Sequence, residues 1–497
     1  MKRVILALLL ALAAPALAQA PHAAPPAEPG SSPAPADSTT RHQVTINGKT
    51  LDLVAAVSTI PIRTTDGKEP GEVVATSFTL PGADPRVRPV AFAVNGGPGA
   101  SSAWLDLGAL GPWRLPIEGE TISPSKPPML IDNQESWLPF TDLVFLDPPG
   151  TGWARVLGGE EARKRLWSVD GDIAALAVAA RQWLEANGRL GSPKIVVGES
   201  YGGFRGPRLV EALRQQQGVG VGGLVLLSPV LDFGGRDRTN DPWPWMTHLP
   251  SFAAIARGAT NRDAVQDAER YAAGDYLLDF TRGEADAAAD ARMSEHVAAL
   301  AGLDPAFVRR RDGRVDAHTF LRERGRATGT AGSPYDGLIT ALDPFPAGIE
   351  AASDPVLDSL RGPVGSAAMA LYSDRLHWRG QGTYHVLNES VARDWDYGDD
   401  RDPQSTDALR RILALDPALR VVVAHGLYDL VTPYFASKLL LDQVPSPVAA
   451  GRLRLLVVPG GHMMYLEDAS RAALRDAAQW VASSGAGAAP SGALSTR

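Results

Sequence analysis

The chain has 497 residues, 44% hydrophobic and 21% charged, with a net charge of −8; this is the balance of a globular protein with a large core, not of a disordered, collagen-like or multi-span membrane chain. The acidic charge argues against nucleic acid as a partner. Cysteine is absent, which excludes thiol catalysis and thiolate metal sites, and the nine histidines show no H-E-x-x-H pair or similar spacing, so neither a metal nor a cofactor is expected.

In chain order, Met1-Lys2-Arg3, the apolar stretch Val4 to Ala14 and Ala16-Leu17-Ala18 form the charged, hydrophobic and small-residue regions of a signal peptide over residues 1–18. The apolar stretch is broken by Pro15 and is shorter than the roughly 20 residues of a spanning helix, so no stable membrane span is expected after cleavage. Cleavage would remove Lys2 and Arg3 and no acid, taking the charge from −8 to −10. The product is expected to be exported, periplasmic or secreted. Residues 19–41, an Ala/Pro/Ser run nearly free of large apolar side chains, read as a flexible linker. The Ser/Gly/Ala-rich end, 483–497, reads as a flexible tail.

From His42 the pattern alternates: Val44 and Ile46, then Asn47-Gly48, then Leu51 and Leu53 predict a β-hairpin. Short apolar runs follow at Val90–Val94, Leu143–Leu146, Ile195–Val197, Leu224–Leu227, Val421–Ala424 and Leu453–Val458, the signature of buried parallel strands. Helical stretches, among them Ile173–Glu185 and Phe204–Gln215, lie between several of them, which implies a mostly parallel sheet flanked by helices. The alternation lapses across 233–374, which reads mainly as helices and loops. The expected organisation is therefore a first core part over 42–232, a helical cap insertion over 233–374, and a second core part over 375–482. Trp243-Pro244-Trp245 and Trp378 line a cleft or simply pack; both readings stay open here. No internal repeat is found.

Chemistry concentrates at Gly198-Glu199-Ser200-Tyr201-Gly202, a strand running into Gly-x-Ser-x-Gly and then a helix. A serine on so sharp a turn needs a strained backbone and neighbours without bulk, and the helix behind it directs N–H groups toward a developing oxyanion. Serine needs a base, and the base an orienting acid; in this fold class the order is Ser, acid, His. Asp429, in Gly426-Leu-Tyr-Asp-Leu-Val-Thr-Pro433, and His462, in Pro459-Gly-Gly-His-Met-Met464, each follow a strand and fit that order. His425 is a rival base that precedes the acid. Asp468 reads as the start of a terminal helix, and Asp147 as an anchor for Pro148-Pro-Gly-Thr-Gly152.

Together with Asn95-Gly-Gly-Pro-Gly-Ala-Ser-Ser102 and Asp147-Pro-Pro-Gly-Thr-Gly152, these segments resemble the serine carboxypeptidases, peptidase family S10 of the α/β-hydrolase superfamily, in a bacterial-type exported form. The resemblance runs from about residue 90 to 470. It implies an α/β-hydrolase fold with a helical insertion, Ser200, Asp429 and His462 as catalytic triad, the backbone N–H groups of Gly97 and Tyr201 as oxyanion hole, and Asn95 and Glu199 as ligands of the substrate's terminal carboxylate. It implies peptide or protein C-termini as substrates. The alternatives are an esterase, acyltransferase or proline-type aminopeptidase of the same fold, or a non-catalytic binding protein; side-chain preference and oligomeric state are not written in the chain. The sequence departs from the family pattern at Ala93, where a tryptophan is usual, at Ala100, where a cysteine is usual, and at Ala109, where a glutamate is usual. The last change removes an acid expected to share a proton with Glu199.

Overall fold

Asn47 and Gly48 both adopt positive φ, 49° and 75°, the backbone of a type I′ turn, and they join β1 (Ser38–Ile46) to β2 (Lys49–Ile62) in unbroken antiparallel register from Ser38↔Val57 to Ile46↔Lys49. The computed structural model describes residues 34–63, 67–117, 123–125, 127, 129–234, 240–348, 353–398 and 403–483. The expected signal peptide, residues 19–33 of the expected linker and residues 484–497 of the expected tail lie outside the described residues. Ser38–Arg41, expected to be part of a linker, are β-strand, because their backbone pairs with Val54–Val57 even though their side chains have little to bury.

After β2 come β3 (Gly71–Thr79), β4 (Val90–Val94), β5 (Asp142–Asp147), β6 (Lys194–Glu199), β7 (Gly223–Leu227), β8 (Arg420–Gly426) and β9 (Leu453–Val458). They form one nine-stranded sheet in the order β1-β2-β3-β5-β4-β6-β7-β8-β9. The pairings from β1 through β3 to β5 are antiparallel and the rest are parallel. The fold is α/β, of the α/β-hydrolase kind, as the sequence predicted. All five residues of β4 are buried, and they alternate between two cores: Ala91 and Ala93 join the cluster on one face, Val90, Phe92 and Val94 the cluster on the other. Coverage of both faces explains why the parallel strands read as unbroken apolar runs.

Helix α1 (Val169–Ala186) and helix α2 (Tyr201–Gln217) pack on the second face, where Leu176, Trp183, Phe204 and Leu213 meet Phe92 and Val196. Helix α3 (Asp468–Ala482) closes the other, burying Leu474, Ala478 and Val481. Asp468 thus opens the terminal helix.

Between β7 and β8 the helices from Met246 to Leu321 form a further hydrophobic cluster, which Leu427, Tyr428, Leu430, Tyr434 and Phe435 join from the segment after β8. The insertion is not purely helical: Thr330–Ser333 and Asp336–Leu342 form an antiparallel hairpin. Its end also differs from the expected boundary at 374. Helix Leu357–Ala370 carries Leu360, Val364, Ala367 and Ala368 at helical spacing, and these, with Leu371 and Tyr372, pack into the sheet's own core. That stretch belongs physically to the body. Trp378 is 3% exposed, in an aromatic group with Trp153 and Tyr372, so packing is its role; Trp245 is partly buried against the cap cluster. Among the described residues no helix is long and apolar enough to cross a membrane.

Candidate active site

Four loops leave the carboxyl ends of β4, β6, β8 and β9, the edge where open α/β sheets bind ligands, and between them these strand ends carry Asn95 and Gly97, Glu199, Ser200 and Tyr201, Asp429, and His462. The loop after β6 is the tightest. Ser200 has φ 58° and ψ −118°, a strained conformation for a residue with a Cβ and the one a nucleophile elbow demands. Its N–H donates to Leu227 O at 2.9 Å and its carbonyl accepts from Gly203 N and Val230 N at 2.9 and 3.1 Å, so the strain is held from both the strand and the helix side. Ser200 is half-buried while Glu199 and Tyr201 on either side are buried.

The loop after β4 lies directly against this turn. A Cβ added to Gly96 would stand 2.6 Å from Tyr201 N and 2.8 Å from Ser200 Cβ. Only glycine permits that approach. Gly97, at φ 97°, and Tyr201 carry backbone N–H groups with no hydrogen-bond partner among the described residues. The loop is fixed from behind by Arg205 of α2, wholly buried, which pairs with Asp172 through Nε at 2.5 Å and donates from Nη1 to Asn95 O. Sequence reasoning missed Arg205, since an arginine on a helix behind an elbow carries no signal of its own.

Asp429 and His462 meet. His462 Nδ1 lies 2.9 Å from Asp429 Oδ2, a pairing that puts the proton on Nδ1 and leaves Nε2 as the basic nitrogen. The carboxylate also accepts from Thr432 Oγ1 at 2.6 Å on Oδ2, and from Val431 N and Thr432 N at 2.8 and 2.9 Å on Oδ1. Burial alone would raise the Asp429 pKa, but the facing imidazole and these donors hold it below the ordinary aspartate value. The Asp-x-x-Thr spacing, a local side-chain-to-backbone turn, was the available signal for Thr432.

Ser228, also missed, ties the loops together from the end of β7. Its Oγ donates to His462 O at 2.7 Å, and its carbonyl lies 3.0 Å from Thr432 Oγ1, whose proton goes to Asp429. Two residues on, Val230 N donates to Ser200 O. One short segment therefore holds the elbow, the acid loop and the histidine loop together. The rival His425 points elsewhere: its Nε2 bonds Ser437 Oγ at 2.8 Å, and burial pushes its pKa down to about 4. Asp147 accepts Ser102 N at 2.6 Å and abuts Gly152, where an added Cβ would overlap its carboxylate. It holds the β4 loop as well as its own turn.

The cap contributes as well. At the tip of its hairpin, Tyr335 O accepts His462 N at 2.5 Å, and the Tyr335 ring meets the imidazole edge-on at 5.3 Å. Gly461 is required here, because a Cβ would fall 1.9 Å from Tyr335 O. On the acid side, Tyr428 Oη donates to Ala259 O at 2.7 Å and Leu430 N to Pro334 O at 2.9 Å.

Asn95 and Glu199 are both about 3% exposed. Asn95 donates through Nδ2 to Glu199 Oε2 and accepts Leu105 N at 3.1 Å. Tyr465 donates through Oη to Glu199 Oε1 at 2.8 Å. Burial pushes the Glu199 pKa up to about 7, against the lowering effects of His462, Tyr465 and Asn95 and with a further raising push from Asp429. Among the described residues, no cluster of three or more metal-ligating side chains occurs.

The sheet order and the serine-bearing elbow define an α/β-hydrolase. Residues 78–235, which hold the β4 loop and the elbow, match the family model for serine carboxypeptidases. Serine carboxypeptidase-like 45 of Arabidopsis thaliana is 29% identical over 179 residues, 34% of this chain and 35% of the relative. Serine carboxypeptidase-like 29 of the same plant is 27% identical over 178 residues, 35% of each. The match thus spans about a third of the length of these relatives, and the family-model segment ends before Asp429 and His462. The crystal structure of Kex1(delta)p, a prohormone-processing carboxypeptidase from Saccharomyces cerevisiae, superposes with a TM-score of 0.54 at 16% identity, covering 86% of this chain and 91% of that one; at that identity the likeness is one of fold.

Proposed function

We propose that the protein is an exported serine carboxypeptidase, periplasmic or secreted, that removes residues from peptide or protein C-termini. Ser200 Oγ attacks the last peptide carbonyl while His462 Nε2 takes its proton and Asp429 stabilises the imidazolium. The oxyanion forms against Gly97 N and Tyr201 N, each donor contributing about 3 kcal/mol in the transition state. His462 then protonates the departing amino group, and water, deprotonated by the same imidazole, releases the acyl-enzyme.

The observation that carries this reading beyond a generic hydrolase is the Asn95–Glu199 pair, buried beside Ser200. An esterase has no need for a carboxyl group there. Glu199 cannot hold a substrate carboxylate while ionised, because like charges in contact force one to take up a proton; its raised pKa supplies that proton in mildly acidic solution. The test compares cleavage of an N-blocked dipeptide with that of its C-terminal amide, in wild type and Ser200→Ala. Release from the free acid, lost by at least about 10⁴-fold in the variant, is expected; equal cleavage of acid and amide would refute the assignment.

A further inference from the structure

The hydroxyl of Tyr465 has no part in the chemistry just described, yet it occupies a central place beside Glu199. It lies three residues after His462, in the short turn Met464–Leu466 that leads into α3. Its ring enters the core against Gly108, where an added Cβ would come within 2.7 Å of Cε2, next to Ala109, which is 1% exposed. Tyr465 is itself 1% exposed, and Glu199 Oε1 is the partner of its hydroxyl.

We propose that Tyr465 is the positioning residue for the terminal-carboxylate site: its hydroxyl, in a network with no second carboxyl among the described residues, favours the ionised form of Glu199 and so confines the hydrolysis of free-acid peptides to lower pH. The inference rests on the carboxypeptidase reading and deepens it.

The physical basis is the direction of the hydrogen bonds. Asn95 Nδ2 can only donate, and it occupies Oε2. The Tyr465 hydroxyl stays protonated, because burial and then the nearby Glu199 hold its pKa well above that of free tyrosine, and it donates to Oε1. Both oxygens of Glu199 are thus met by neutral donors, which favour the charged form. The other titratable groups facing Glu199 are His462 from the β9 loop, Asp429 from the β8 loop and Tyr335 from the cap hairpin. None is a carboxyl hydrogen-bonded to Glu199. A pair of carboxyls in contact would take up and release protons in two coupled steps, whereas a single carboxyl bound to a phenol and an amide titrates in one.

Above that titration, kcat/KM for a free-acid peptide is expected to fall tenfold per pH unit, while an N-blocked amino-acid ester, which has no carboxylate, shows no such fall. Tyr465→Phe removes one donor. Its alkaline limb should move up by about 0.5–1 pH unit, the size of one net hydrogen bond, on the free acid alone and mainly through KM. Glu199→Gln run in parallel separates the two levels of the argument. If Glu199→Gln abolishes the limb and Tyr465→Phe leaves it in place, or shifts acid and ester alike, the role of Tyr465 is refuted while the carboxylate site stands. If Glu199→Gln keeps the wild-type limb, the carboxylate site itself falls. Should Tyr465→Phe fail to fold, Gly108→Ala displaces the ring by its methyl group and should give the same upward shift; an unmoved limb in that variant overturns the proposal.

Discussion

Two buried carboxylates flank His462, one in the β8 loop and one at the end of β6, and their pKa values are shifted in opposite directions. Asp429 accepts four hydrogen bonds, two from backbone N–H groups and one each from Thr432 and the imidazole; Glu199 accepts two, from a neutral amide and a phenol. Burial raises both pKa values, but only at Asp429 do the donors and the facing imidazole outweigh it. Burial therefore does not decide what a carboxyl does in such a site. The number and charge of its donors decide, and they fit one group to serve as a permanent anion and the other to bind and release a proton near neutrality.

The largest effect is expected where the permanent anion is lost. Asp429→Asn keeps the shape but removes the charge and disturbs the imidazole tautomer, so kcat should fall about 10⁴-fold on ester and peptide alike; steady-state kinetics on both substrates checks this, and a loss confined to the peptide would erase the contrast between the two acids. Glu199→Gln mimics the neutral carboxyl. At pH 8, about one unit above the titration of Glu199, the variant should exceed wild type on a free-acid peptide by roughly tenfold and match it on the ester, whereas a uniform drop on both would make Glu199 merely structural.

The smallest effect concerns Asp147, a buried acid away from the proposed chemistry whose pKa burial likewise pushes up to about 7. The native state binds its proton more tightly than the unfolded chain, so the stability it contributes is present below pH 4 and lost as pH rises toward 7. Asp147→Asn should therefore narrow the difference in Tm between pH 5 and pH 8, by roughly 2 °C or more, as thermal unfolding at the two pH values would reveal. An unchanged difference would mean that Asp147 ionises as freely in the folded protein as in the unfolded chain.

Much of the fold was legible because its signals are local. The hairpin at Asn47-Gly48 followed from residues that tolerate positive φ, and β4 was read to the residue because a strand covered on both faces must be apolar throughout; β9, at the sheet edge and interrupted by Arg454, still kept enough of its apolar run to be read. β3 was missed: Glu72, Thr76 and Ser77 break its apolar run, although all are buried. The cap hairpin was missed for a similar reason, since Asp336–Leu342 is largely exposed and has no periodicity to read. In the site, Ser200, Asp429 and His462 stood out because each sits in a loop of distinctive chemistry. Their supports did not, because Ser228, Arg205, Tyr335 and Tyr465 act on residues distant in the chain.

By itself the sequence determined the alternation of strand and helix, the strained serine turn, and the order in which serine, acid and histidine arrive at one edge of a sheet. All of these depend on local backbone preference and on the periodicity of burial. Only the tertiary structure decided which donors face each carboxylate, that a cap hairpin braces the histidine loop, and that a tyrosine meets Glu199. Those outcomes depend on the directions of hydrogen bonds across β4, β6, β8 and β9, and a linear pattern of residue types does not encode direction.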